Sequence, residues 1–142
     1  MIVYLDTNVV LDYLLARPPY GMEAAELLTL TRRHDVQAFI APNAIIMGFA
    51  LLRQQPLRMD PTSIKHSLAL FRKLVSCVSV TNAAIDEALA RLNAPDLEDS
   101  LQIVLAQKCN ADIIVTNDRR GFRTSPIQVM TTKEFLLNWS FT

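Results

Sequence analysis

Acidic residues stand at three places in the sequence where chemistry can be built. The run "IVYLD" ends in Asp6 and continues into Thr7 and Asn8. A second run, "IIVTND", ends in Asp118, and "APDLEDS" groups Asp96, Glu98 and Asp99 just ahead of an apolar stretch. Brought together, such carboxylates repel. Two charges about 4 Å apart cost about 4 kcal/mol at an effective dielectric near 20. A divalent cation offsets that cost. Magnesium and manganese take oxygen ligands, and magnesium is often held by one or two carboxylates together with water and phosphate oxygens. An ion held this way generates hydroxide and stabilises a phosphodiester transition state. Thr7, Asn8, Thr116 and Asn117 would then hold carboxylates and bound waters in place.

Each acid also has a simpler reading. Asp, Thr and Asn are all N-cap residues, so Asp6 can close the start of a helix. Asp96 has the same claim. Asp99, three residues on, resembles the reciprocal capping arrangement, although Glu or Gln is usual there. Acids in a first turn also gain about 0.3–1 kcal/mol from the helix dipole. Asp118 fits an ordinary turn. The residue types alone leave both readings open.

The elements that must position these acids alternate. Ile2–Leu5, Val36–Ala41, "CVSVT", "DIIVTND" and "IQVMT" read as short buried strands. Between them the spacing predicts helices over Asn8–Ala16, Met22–Arg33, the stretch opened by Pro42 and Asn43 and ended by Pro56, Ser63–Val75, Asn82–Leu92 and the segment after Asp96. Thr131 or Thr132 starts a last helix ending near Trp139. Short apolar strands alternating with helices imply a parallel sheet covered on both faces, an α/β fold. In open parallel sheets, sites form beyond the carboxyl ends of the strands, where Asp6 and Asp118 stand.

The chain has 142 residues, enough for one domain spanning 1–142. It is 51% hydrophobic and 20% charged, which excludes a disordered chain. Fourteen basic residues balance fourteen acidic ones, so a nucleic-acid partner needs a local basic patch. Arg119, Arg120 and Arg123 follow Asp118 and, with Lys133, would form a rim for RNA phosphates; the simpler reading is a solvated loop. Cys77 and Cys109 sit in apolar contexts without metal-ligand spacing and are expected to be free, buried thiols in a reducing compartment. The N-terminus shows no basic leader and no apolar run approaches 18 residues, so a cytoplasmic protein with no membrane contact is expected. His34 and His66 have no partner spacing and receive no role.

At these residues the chain resembles the PIN-domain family, whose small members include VapC-type toxin ribonucleases. The matching stretches are "VYLDTNVVLDYL", "APNAIIMGFALLRQ", "DLEDSLQIVLAQKCNADIIVTND" and the "RRGF" that follows. The resemblance implies a three-layer sandwich with a central parallel sheet of about five strands. It implies a divalent cation, Mg2+ or Mn2+, held by three or four acids, and hydrolysis of RNA. By position Asp6, Asp99 and Asp118 match the family's acids and would be the catalytic metal ligands, with Asp96 assisting. An antitoxin-like protein partner and a homodimer are also implied, and the apolar run Ala44–Leu52 offers a surface for either. One departure stands out. Where the family carries a Glu on the helix after the second strand, the alignment places Gly48, and no other acid lies between Asp35 and Asp60. Three readings follow: a site completed by Asp96 or Glu98, a PIN-like module that binds RNA or a protein without cutting, and a Gly48 that serves close helix packing. A phosphohydrolase using Asp6 as nucleophile is a further alternative, weakened because Asn8 stands where a second Asp is usual.

Overall fold

The computed structural model describes residues 1–33 and 35–139; His34 lies outside them. Five strands form one sheet: β1 (Ile2–Leu5), β2 (Gln37–Ile40), β3 (Val75–Cys77), β4 (Ile113–Val115) and β5 (Gln128–Met130). Their order is β3-β2-β1-β4-β5, and every pair is parallel. Among the described residues seven α-helices flank them: α1 (Thr7–Leu14), α2 (Gly21–Leu30), α3 (Pro42–Arg53), α4 (Pro61–Arg72), α5 (Asn82–Ala90), α6 (Leu97–Lys108) and α7 (Thr132–Trp139).

Alternation along each strand makes the layers. Val3 and Leu5 of β1 and Ile113 and Val115 of β4 point to one face, against Val9, Val10, Leu27, Phe71 and Phe135 from helices. Tyr4 and Ile114 point to the other, against Ala84 and Ala88 of α5 and Ile103, Val104 and Ala106 of α6. Each such fully buried aliphatic side chain is worth about 1.5–3 kcal/mol. The expected parallel sheet of about five strands, covered on both faces, is present.

Register then sets the site. Leu5 of β1 pairs with Val115 of β4, so the next residues, Asp6 and Thr116, leave the sheet side by side. The Asp6 N–H donates to the Val115 carbonyl at 3.0 Å, and the Thr116 N–H donates to the Met130 carbonyl at 2.9 Å. The chain builds outward from β1 through β2 to β3, then crosses to β4 on the other side. The two directions part between β1 and β4, the place where α/β sheets open a crevice.

Several boundaries differ from the sequence expectation. The first helix ends at Leu14, not Ala16, because Ala16 takes a left-handed backbone with φ 50°. The α2 helix stops at Leu30 and tightens into a 3₁₀ turn over Thr31–Arg33. Val75, expected to end a helix, instead opens β3 by pairing with Ala38, so that strand lies earlier than "CVSVT". Cys77 and Cys109 are free but only half-buried. The apolar run of α3 is not covered all round: Ala44, Gly48 and Leu52 are buried, whereas Ile46 is 70% exposed.

Gly48 has a packing role. A Cβ placed there would lie 2.6 Å from Leu14 Cδ1, with Leu11 and Leu68 next nearest, so the position faces apolar side chains of α1 and α4. Of the three readings of Gly48, close helix packing is the one the contacts support. Gly48→Glu is therefore expected to set a carboxylate among leucines and to lower stability by about 2 kcal/mol or more. Urea denaturation of the two proteins checks this. Unchanged stability together with tighter Mn2+ binding would instead put position 48 on the wall of the acidic site.

Candidate active site

Asp6 is the deepest of the acids, at 3% exposure. It stands just before α1, yet its side chain makes no capping bond there. Its oxygens are taken by two neutral donors. Thr116 Oγ1 donates to Oδ2 at 2.7 Å, and Gln102 Nε2 donates to Oδ1 at 2.9 Å. The Asn8 backbone N–H lies near enough to favour the ionised form as well. Burial outweighs these bonds and raises the Asp6 carboxyl above its ordinary range, with the nearby charge of Asp118 adding to the rise. Each oxygen keeps acceptor capacity, since a carboxylate offers about four lone-pair sites.

Asp99 and its neighbours come from the first turn of α6. Asp96 caps that helix: its Oδ1 accepts from the Asp99 N–H at 2.9 Å. The capping reading of Asp96 thus holds, and the residue also lines the cleft described below. Asp99 is pushed up from 3.8 to about 6, first by burial and then by Asp96, Asp6, Glu98 and Asp118. Glu98 is raised by burial and by Asp6 and Asp96, against a hydrogen bond from Thr7. Backbone closes in on Asp99: a Cβ at Gly121 would collide with both of its carboxylate oxygens. Only glycine fits at position 121 while Asp99 keeps this place.

Asp118 differs from the others. It is exposed, and its Oδ1 accepts from Arg120 Nε at 3.1 Å and from the Arg120 backbone N–H at 3.3 Å. These bonds hold its carboxyl below the ordinary range. The acids and the arginines share a cleft of about 480 Å³, lined by Asp96, Asp99, Asp118, Arg120, Gly121 and Arg123 among others. Asp6 does not line this cleft but lies close enough to feel Asp118. A larger groove, about 780 Å³, runs between α2 and α7 and holds none of the three strand-end or helix-start acids.

Some expected neighbours turn elsewhere. Asn117 faces α7, where its Oδ1 accepts from the Thr132 N–H at 3.2 Å and the Thr132 hydroxyl at 3.1 Å, so it does not orient the acids. Asn8 is exposed and contributes through its backbone. Arg119 pairs with Glu134, and Lys133 lines the larger groove beside Glu23 and Glu26. Of the basic rim, Arg120 and Arg123 reach the acids' cleft while Arg119 and Lys133 do not. Thr116 bonds Asp6 directly, whereas the Thr7 N–H bonds Gln102, whose amide in turn holds Asp6. Gln102 was missed by sequence reasoning. Its signal was an amide three residues after Asp99, within an otherwise apolar helix face.

The donors suit a hard cation in kind, being carboxylate and hydroxyl oxygens. Among the described residues, however, no three acids, histidines or cysteines converge tightly enough to hold a metal ion as they stand. Asp118 is turned to Arg120, and Asp96 is committed to its helix.

Comparison with known proteins agrees with the fold. The model of the PIN domain matches residues 2–120, and the chain belongs to the PIN-domain family. It is 28% identical to ribonuclease VapC1 of Aquifex aeolicus over 141 residues, covering 97% of this chain and 95% of that protein. Among solved structures it is similar to VapBC2 from Rickettsia felis bound to a promoter DNA fragment, with TM-score 0.66 and 16% identity over 92% of this chain and 98% of that one. It is also similar to VapC20 of Mycobacterium tuberculosis, a toxin that cleaves the sarcin-ricin loop, with TM-score 0.64 and 13% identity over 86% and 94% of the two chains. These two likenesses show the fold.

The raised Asp99 has a consequence for stability. Between its unfolded value and about 6 the folded protein holds the proton more tightly, so the stabilisation is present at low pH and is lost as pH rises through about 6. Asp99→Asn is expected to flatten that decline in metal-free protein, followed by urea denaturation across about pH 4 to 7. A decline equally steep in the variant would place the responsible group elsewhere.

Proposed function

We propose that the protein is a divalent-metal-dependent ribonuclease. What supports this reading is one cleft lined by Asp99 and Asp118 together with Arg120 and Arg123, with the buried Asp6 near enough for its charge to act on Asp99. Asp6, Asp99 and Asp118 would hold the ion, with Asp96 at the edge. Magnesium or manganese, when bound, supplies Lewis acidity at the phosphodiester and lowers the pKa of water. The chain's own residues do the rest. Thr116 keeps the Asp6 carboxylate in place, and Thr7 does so through Gln102. Arg123 and Arg120 draw phosphate into the cleft. Arg120 must leave Asp118 for that carboxylate to take part, and a phosphate oxygen is the natural acceptor for the guanidinium it frees.

The likeness over nearly the whole chain to a protein named as a ribonuclease supports the catalytic reading. The non-catalytic alternative drew on Gly48, whose contacts are those of a helix seam. An antitoxin-like protein partner belongs to the same proposal, supported by the fold shared with VapBC assemblies. No described helix is long and apolar enough to cross a membrane.

Calorimetric titration with Mn2+ and cleavage of a panel of RNAs test this together. The wild type is expected to bind Mn2+ and cut at least one RNA. Asp6→Asn and Asp99→Asn are each expected to weaken Mn2+ binding at least about tenfold and cleavage about a hundredfold. Equal affinity in both variants would remove them as ligands. Metal binding with no cleavage of any RNA would leave a binding module.

A further inference from the structure

We propose that Gln102 is a positioning residue that sets the plane of the Asp6 carboxylate and ties it to the helix carrying Asp99. The role in catalysis rests on the ribonuclease reading; the arrangement itself does not. Gln102 is 1% exposed, within a helix otherwise packed by Ile103, Val104 and Leu105. An amide in such a place is costly unless its donors and acceptors are met. Here they are. Nε2 donates to Asp6 Oδ1 at 2.9 Å, and Oε1 accepts from the Thr7 N–H at 2.9 Å. The Thr7 hydroxyl, at 3.3 Å, and the Tyr4 hydroxyl, at 3.4 Å, face the same oxygen.

The orientation of the amide follows from its partners. A backbone N–H can only donate, so Thr7 requires the oxygen on its side. A carboxylate can only accept, so Asp6 requires the NH2. Turning the amide over would set two donors and two acceptors face to face.

The residue type also fits the task. A Lys or Arg here would hold Asp6 but cancel the charge a cation needs. A Leu or Met would fill the space and hold nothing. Glutamine fixes the carboxylate and leaves its charge intact. Thr116 does the same for the second oxygen from the end of β4. Two neutral donors on two elements thus fix the carboxylate plane. Because Gln102 lies three residues after Asp99 on one helix, α6 brings Asp99 itself and also the group that aims Asp6. Sites of this kind tolerate errors of about 0.5 Å, so a shared rigid element matters.

The side-chain amide of Gln102 reports on this directly. In 15N-labelled, metal-free protein its resonance, assigned by its absence in Gln102→Met, is expected downfield and slow to exchange. Asp6→Asn should move it. Free exchange at ordinary shifts, unaffected by Asp6→Asn, would overturn the proposal whatever the protein does to RNA. Gln102→Met keeps volume without the donor. It is expected to weaken Mn2+ binding by about tenfold to a hundredfold and to lower kcat more than it raises KM. Leu68→Ala, in the α3–α4 cluster away from the acids, serves as a destabilised control and should leave Mn2+ affinity within about twofold. Wild-type affinity and rate in Gln102→Met would overturn the catalytic role. A bonded amide in a wild type that binds no Mn2+ would uphold the arrangement and sink the ribonuclease reading instead.

Discussion

A carboxylate buried to 3% exposure, with no basic side chain paired to it among the described residues, is the constraint around which this fold is arranged. Burying an unpaired charge is expensive, and proteins usually avoid it or neutralise it. Here Asp6 is met by the Gln102 amide and the Thr116 hydroxyl, which hold its place and leave its charge. Both partners arrive by long-range contacts, about a hundred residues away in the chain. The parallel register of β1 on β4 delivers Thr116, and the packing of α6 on the sheet delivers Gln102. A slip of one residue in that register would turn Thr116 away and leave Asp6 with Gln102 alone.

Charge is graded outward from that point. Asp6 is deepest, Asp99 half-buried, Asp118 exposed and already matched by Arg120. Burial and then the like charges around it lift the carboxyl of Asp99, while the arginine depresses that of Asp118. The cleft therefore has an acidic floor and a basic lip. That combination suits a cation and a phosphate together, and neither sign alone would.

Two of the three glycines show how closely packing and site are linked. Gly48 lets α3 approach Leu14 of α1, and Gly121 lets the turn after Asp118 press against the Asp99 carboxylate. In each case the reason lies in what a Cβ would strike. No left-handed backbone is involved, since no glycine here has positive φ.

Local sequence was enough to determine the alternation of apolar strands and helices, the parallel sheet and the start of α6 at Asp96, and to single out Asp6, Asp99 and Asp118 as candidates. Those features are written in runs of a few residues, where periodicity and capping chemistry act. Helix ends at Leu14 and Arg72 were not legible, because an apolar residue such as Val75 suits a helix end as well as a strand until Ala38 is seen to pair with it. Tertiary structure alone decided that Asn117 serves α7, that Arg119 turns to Glu134 and that Gln102 reaches Asp6. The physical reason is common to all three. A polar side chain bonds to whatever donor or acceptor lies within about 3 Å, and which groups those are depends on elements distant in sequence.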